Sequence, residues 1–240
     1  SGPLSLPPLY AFGFLATYWG WSQQADVEST ISAFRKGKYP IDAFIMDYDW
    51  FGTAITHYRD FGYNPDTMTN SRFNNLSSLL SHYYDAYGIR FGGIRKPRTY
   101  DHIELVQNTP GWNLAWPDPL GRVHEMNFSS PTLREWYANN TAPLIDSGVE
   151  FFWNDEADFS NQYFAYHFQT LAQQQASQRT RLAARDRRSW SINRAFTLGM
   201  QRHGAVTWSG DGQDCSHSMI VQMRVYGQAR SWGEMTAPDA

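Results

Sequence analysis

Two patterns of apolar residues alternate along this chain. Short unbroken apolar runs, as in strands buried on both faces, are followed by stretches with apolar residues three or four apart, as in helices. The pattern predicts a first strand at 10–19, after a proline-rich entry, and a helix at 24–37 with Val27, Ile31 and Phe34 on one face and Gly37 at its end. A second strand is predicted at 41–46, a polar, Asn-rich loop at 53–75 and a second helix at 76–87 stopped by Gly88. A third strand at 89–94 ends in Arg95-Lys96-Pro97-Arg98. Residues 99–130 read as irregular and rich in Pro, Gly and Trp. A helix at 131–145, with Ser130 as its cap, then feeds a fourth strand at 149–153. The helix expected at 163–185 carries a Gln- and Arg-rich face, read as solvated surface. Strands at 189–198 and 205–208, a helix at 216–230 and a seventh strand near 232–236 complete the reading.

Strands alternating with helices argue for a parallel barrel, and 1–240 reads as one (β/α)8 TIM-type domain. A doubly wound open sheet is the alternative, but no Gly-rich phosphate turn follows any strand. Six or seven strands are counted before Ala240, so the barrel is expected to stop short of its eighth strand. Closing a barrel removes exposed strand edges. The chain is therefore expected to be part of a longer protein, with further domains or a partner chain completing the barrel.

The 240 residues suffice for a substantial core, and the net charge of −3 leaves no electrostatic footprint for nucleic acid or an anionic membrane. No apolar run has the length of a membrane-spanning helix. One cysteine, Cys215, excludes an internal disulfide and a cysteine-rich metal site. Aromatic residues make up 16%, with ten Trp. Most fill a core, but Tyr18-Trp19-Gly20-Trp21 and Trp112-Asn113-Leu114-Ala115-Trp116 set rings beside polar residues, an arrangement suited to sugars. Three glycosylation sequons, at Asn75, Asn127 and Asn139, favour the secretory pathway. Residues 1–8 lack the basic start and apolar core of a signal peptide.

The chemistry lies at the strand ends. The run Gly148-Val149-Glu150-Phe151-Phe152-Trp153 stops in Asn154-Asp155-Glu156-Ala157-Asp158. Three carboxylates within four residues repel one another, which stability alone does not favour. The same grammar recurs at Asp47 and Asp49 after the second strand and at Asp211 after the sixth. In a β/α barrel these ends share one mouth. Paired carboxylates in an aromatic cleft are what glycosidic cleavage requires, one as nucleophile and one as acid and then base. A divalent metal held by the acids is the alternative chemistry, but no His lies at ligand spacing beside them. No metal or other cofactor is expected.

Trp153-Asn154-Asp155 with its following acids, Arg194-Ala195-Phe196, Gln201-Arg202 and Trp208-Ser209-Gly210-Asp211 resemble the signatures of glycoside hydrolase family 31, the retaining α-glycosidases. Phe12-Gly13-Phe14 through Trp21, Asp26-Val27-Glu28 and Phe34-Arg35 resemble the family's first strand and helix. Pro40-Ile41-Asp42 and Asp47-Tyr48-Asp49-Trp50 resemble its second strand. The matches run in order through essentially the whole chain. The resemblance implies a retaining exo-α-glycosidase acting on an oligosaccharide or glycoside, chiefly an α-glucoside. Asp155 would be the nucleophile and Asp211 the general acid/base, about 5–5.5 Å apart. Asp47 would bind the terminal sugar with Asp49 behind it, and Arg194 would sit beside the nucleophile. Trp153, Trp208 and Trp116 would wall the subsite.

Two departures bear on the sugar. Glu156-Ala157-Asp158 stands where α-glucosidases of the family usually carry Met-Asn-Glu, and Lys96-Pro97 where they usually carry Asp-Pro. Lys96 therefore joins the substrate-binding candidates, because an ammonium donates to an axial O4 or a substituent oxygen but cannot accept. The resemblance leaves α-galactosidase, α-N-acetylgalactosaminidase and α-transglycosylase as alternatives. A sugar-binding barrel without activity is the rival from another class.

Overall fold

The computed structural model describes residues 5–50, 60–61, 73, 75–114, 125–156, 163–180, 189–194, 197–208, 210 and 235–236. Its strands are β1 (Leu15–Tyr18), β2 (Ala43–Met46), β3 (Arg90–Arg95), β4 (Val149–Asn154), β5 (Trp190–Asn193), β6 (Ala205–Thr207) and β7 (Met235–Thr236). They form one sheet in strict sequence order, and every neighbouring pair is parallel. A doubly wound sheet reverses its order at a switch point. No reversal occurs here, so the barrel reading holds.

Between the strands lie α1 (Gln24–Lys36), α2 (Leu76–Tyr87), α3 (Ile103–Asn108), α4 (Pro131–Asp146) and α5 (Tyr163–Gln178). Local chemistry sets several of their ends. The Asn75 side chain accepts from Ser78 N–H at the start of α2, and Gly88 ends it with a left-handed φ of 71°. Ser130 caps α4, accepting from Leu133 N–H, with Pro131 in the first turn.

Four expectations need correction. Residues 9–12 form a 3-10 turn and only four residues of the expected first strand pair as β1, because the Tyr10 ring turns to pack on Phe151 and Trp190. The irregular 99–130 stretch contains α3, six residues with only Val106 buried, too short to show a periodicity. The polar face of α5 is solvated only in part: Gln178 and Arg179 are exposed, but Gln169, Thr170, Gln173, Ser177 and Thr180, just past its end, are buried. The fifth strand is also shorter than predicted, four residues before the backbone turns at Arg194. The helix expected at 216–230, most of the 53–75 loop and the 181–185 end of the fifth helix lie outside the described residues.

Alternation along the strands, interrupted by a register shift between Val149 and Phe151, sorts the core into two layers. Phe44, Met46, Val149 and Phe152 pack outward under the helices, with Val27, Ile31, Leu76, Leu80 and Leu144. Ala43, Ile45, Phe151, Trp190 and Ile192 pack on the other face, inside the barrel. Two glycines in β3 make both layers possible. A Cβ on Gly92 would stand 2.4 Å from the Phe151 ring, and one on Gly93 would stand 2.0 Å from Trp50. At the start of the strands Arg90 pairs with the buried Glu150 at 3.2 Å, and Trp190 Nε1 donates to Tyr10 Oη at 2.9 Å. That end is filled, so chemistry belongs at the other.

Candidate active site

Register brings the predicted groups together. Arg95 pairs with Asn154, Asn154 with Asn193 and Asn193 with Thr207. The next residue on each strand is Lys96, Asp155, Arg194 and Trp208, so four candidates distant in sequence stand in one row at the strand ends. The ladder continues into that row: Asp155 N–H donates to Arg95 O at 3.0 Å, Arg194 N–H to Asn154 O at 3.1 Å and Trp208 N–H to Asn193 O at 2.7 Å. Asp47 follows β2 directly, at the same end.

Asp155 is 5% exposed and held on both oxygens. Lys96 Nζ donates to its Oδ2 at 2.7 Å and Arg194 Nη1 to its Oδ1 at 3.0 Å. Burial works against the charge on Asp155, but Lys96 and then Arg194 more than offset burial and hold the carboxyl below its ordinary value. Asp47 goes the opposite way. Burial pushes it up, the Tyr48 N–H and Lys96 pull it back in part, and Asp155 and Asp49 push it further up. Asp49 itself sits half-buried in the 3-10 turn Tyr48–Trp50.

Aromatic rings frame the carboxylate. The Arg194 guanidinium lies 5.2 Å from the Trp208 ring centre, and Trp208 meets Trp153 edge-on at 5.3 Å. Tyr48 stands 5.4 Å from Lys96 Nζ and 5.8 Å from Trp19, which follows β1 and is 65% exposed. Trp19 and Tyr48 extend this aromatic group; the sequence places both near strand ends without distinguishing them from core rings, since an exposed ring and a core ring look alike in sequence. Arg202, by contrast, is exposed on the turn Met200–His203 that precedes β6, at the far end of the sheet. Trp116 and Asp211 lie outside the described residues, as do Ala157, Asp158, Ala195, Phe196 and Ser209.

Behind Asp155 lies a polar network absent from the predicted site. Asn154, fully buried, donates to Asn193 Oδ1 at 2.9 Å and Gln173 Oε1 at 3.0 Å, and accepts from Gln173 Nε2 at 2.7 Å. Thr170 donates to Asn193 Oδ1 at 3.1 Å. The network ties the ends of β4 and β5 to α5, on the face opposite the barrel interior. Its signal in the sequence was the Gln-rich face of α5 beside two strand-terminal Asn residues. No group of three His, Cys, Asp or Glu side chains placed to hold a metal ion occurs among the described residues.

The arrangement holds a buried, ionised carboxylate at the mouth of a barrel, flanked by donors and rings. Residues 4–231 match the family profile described as Glycosyl hydrolases family 31 TIM-barrel domain. The chain is 28% identical over 231 residues to a 1,6-alpha-glucosyltransferase of Sporosarcina globispora, covering 88% of this chain and 18% of that protein. It is 24% identical over 253 residues to human neutral alpha-glucosidase C, covering 88% of this chain and 26% of that protein. The chain therefore spans less than a third of the length of either relative. Among solved structures, the fold is similar to that of an alpha-xylosidase from Xanthomonas citri, with a TM-score of 0.80 at 15% identity over 99% of this chain and 29% of that one. A dextranase from Flavobacterium johnsoniae is similar with a TM-score of 0.75 at 19% identity, over 99% and 33%.

Proposed function

Because this chain belongs to glycosyl hydrolase family 31, we propose that it is the catalytic barrel of a retaining exo-α-glycosidase acting by double displacement. The observation that carries the reading is Asp155, buried at the end of β4, ionised and aimed by two cations. In the first step an Asp155 oxygen bonds to the anomeric carbon, the glycosidic bond breaks, and its electron pair stays on the leaving oxygen, which takes a proton from Asp211. In the second, water attacks the same carbon, Asp211 takes the water's proton, and Asp155 departs as a carboxylate. Arg194 would hold Asp155 and the sugar hydroxyls, and Asp47 would accept from hydroxyls remote from the scissile bond. Trp153, Trp208 and Trp116 would stack on the sugar ring.

Asp155→Ala should abolish hydrolysis of aryl α-glycosides, and azide should restore turnover with a glycosyl azide of inverted configuration. Asp211→Ala should spare substrates with very good leaving groups, and azide should there give the retained product. The opposite pairing of products would reverse the two roles. Undiminished hydrolysis by Asp155→Ala would end the reading.

The sugar depends on Lys96. An ammonium carries three donors, of which Asp155 and Glu156 take two, leaving one for a substrate oxygen. We expect cleavage of α-galactosides or N-acetylated α-galactosides beside α-glucosides. Comparing the three aryl glycosides on wild type and Lys96→Ala checks this, and an unchanged preference ratio would remove Lys96 from the specificity argument. The likeness to a glucosyltransferase supports transfer to a second sugar as the other reading. The ratio of transfer to hydrolysis with added glucose measures it.

A further inference from the structure

Asp155 is one member of a longer chain of charges. Lys96 Nζ, 2.7 Å from Asp155, is also 2.9 Å from Glu156 Oε1. Arg98 Nη1 lies 2.9 Å from Glu156 Oε2, and Arg98 Nη2 lies 3.2 Å from Glu125 Oε1. Together with Arg194 this makes a row of alternating sign: Arg194, Asp155, Lys96, Glu156, Arg98, Glu125. Three cations face three carboxylates, and the Lys96 and Arg98 side chains are only 3% and 2% exposed. Glu156 takes its place in the row at a conformational cost. Its φ is 63°, in the left-handed region that a residue with a Cβ avoids unless its surroundings impose it. Arg98 imposes it, gripping the Glu156 carboxylate and also donating from Nη2 to the Glu156 carbonyl at 3.0 Å.

This matters when Asp155 reacts. On forming the glycosyl ester Asp155 loses its charge, so the row passes from three cations against three anions to three against two. A buried cation that loses its counter-charge is strongly disfavoured. We infer that Glu156 is a positioning residue that holds the Lys96 ammonium as its counter-ion while Asp155 is esterified, and so lowers the barrier to forming the covalent intermediate. The inference rests on the assignment of Asp155 as nucleophile. It goes beyond that assignment in giving a task to the residue that follows it, through Lys96 and not by contact with the sugar. The left-handed turn is the backbone feature that brings consecutive carboxylates onto one ammonium. Arg98 is the anchor that keeps it there.

The two steps should respond differently. Without the Glu156 charge the ester is formed beside a Lys96 ammonium left with no charged carboxylate in contact, which slows glycosylation. Its breakdown restores the Asp155 carboxylate and is not slowed. The experiment uses the protein that carries residues 1–240, with an aryl α-glycoside whose leaving group makes breakdown of the intermediate rate-limiting. Glu156→Gln should lower kcat/KM about tenfold or more with kcat changed less than about twofold. Glu156→Asp, which keeps the charge, should recover most of the loss. Lys96→Met/Glu156→Gln should be within about twofold of Lys96→Met alone, because the ammonium that links Glu156 to Asp155 is gone. A Glu156→Gln protein whose kcat falls in step with kcat/KM, or a double variant in which the single losses multiply, would overturn the inference. If Glu156→Gln does not fold, the double variant against Lys96→Met decides in the same way. Asp155→Ala is run alongside: if it retains turnover, the nucleophile assignment fails, whereas normal loss there with no Glu156 effect removes only the counter-ion role.

Discussion

At the scale of the residue, Asp155 shows how the environment sets chemistry. A carboxyl this buried would ordinarily hold its proton, yet Lys96 and Arg194 keep it ionised. A depressed pKa fixes the sign of two pH effects. The stability that the ion pairs contribute is fully present above the unfolded Asp value of about 4 and is lost as pH falls through the lower folded value. The acid limb of kcat/KM belongs, for the same reason, below the ordinary carboxylate range. Lys96→Met leaves burial opposed by Arg194 alone, so that limb should move to higher pH, and Lys96→Arg should return it part of the way. A pH profile of kcat/KM for the three proteins checks this, and a limb that stays in place would mean Lys96 does not set the charge of Asp155.

At the scale of the element, α5 and the ends of β4 and β5 act as one unit. A helix packed on a sheet usually presents an apolar stripe, but α5 presents Thr170 and Gln173 to Asn154 and Asn193, and Gln169 to Tyr137 and the Lys96 carbonyl. Buried polar groups are tolerated only when paired, and here they pair across three elements. Gln173→Leu keeps the volume but removes both hydrogen bonds to Asn154. It should destabilise the fold by about 1–3 kcal/mol in urea unfolding. Gln178→Ala, at the exposed end of α5, should stay within about 0.5 kcal/mol of wild type. Equal effects at the two positions would mean the network does not stabilise the barrel. Because Asn154 precedes Asp155, the same network fixes where the carboxylate emerges.

At the scale of the whole molecule, seven parallel strands in sequence order collect groups far apart in the chain at one end, and an aromatic layer fills the other. The ion pairs around Asp155 are buried, and the net charge of the chain is only −3. Salt screens exposed charges far more than buried ones. Hydrolysis of a neutral aryl α-glycoside should therefore vary less than about twofold between about 0.02 and 0.5 M NaCl. A steep salt dependence of kcat/KM would show that long-range attraction or an exposed pair controls the site.

The sequence by itself determined the order of the strands and of α1, α2, α4 and α5, the Gly88 end of α2, the Ser130 start of α4 and the position of Asp155, because these depend on neighbours within a few residues. Gly88 favours a helix end and Ser130 a helix start through local backbone chemistry, and an apolar run that stops in acids marks a strand end. Tertiary structure decided the partners. Lys96 and Arg194 stand 59 and 39 residues from Asp155, and only parallel register lays them in one row with it. From the sequence Lys96 was assigned to the sugar; the fold also places it on Asp155 and Glu156. The left-handed turn of Glu156 has no local signal either, since it is imposed by Arg98 arriving from β3. The buried part of the α5 polar face was misread for the same reason: hydropathy records what a residue is, while its burial depends on whether another element brings a hydrogen-bonding partner to meet it.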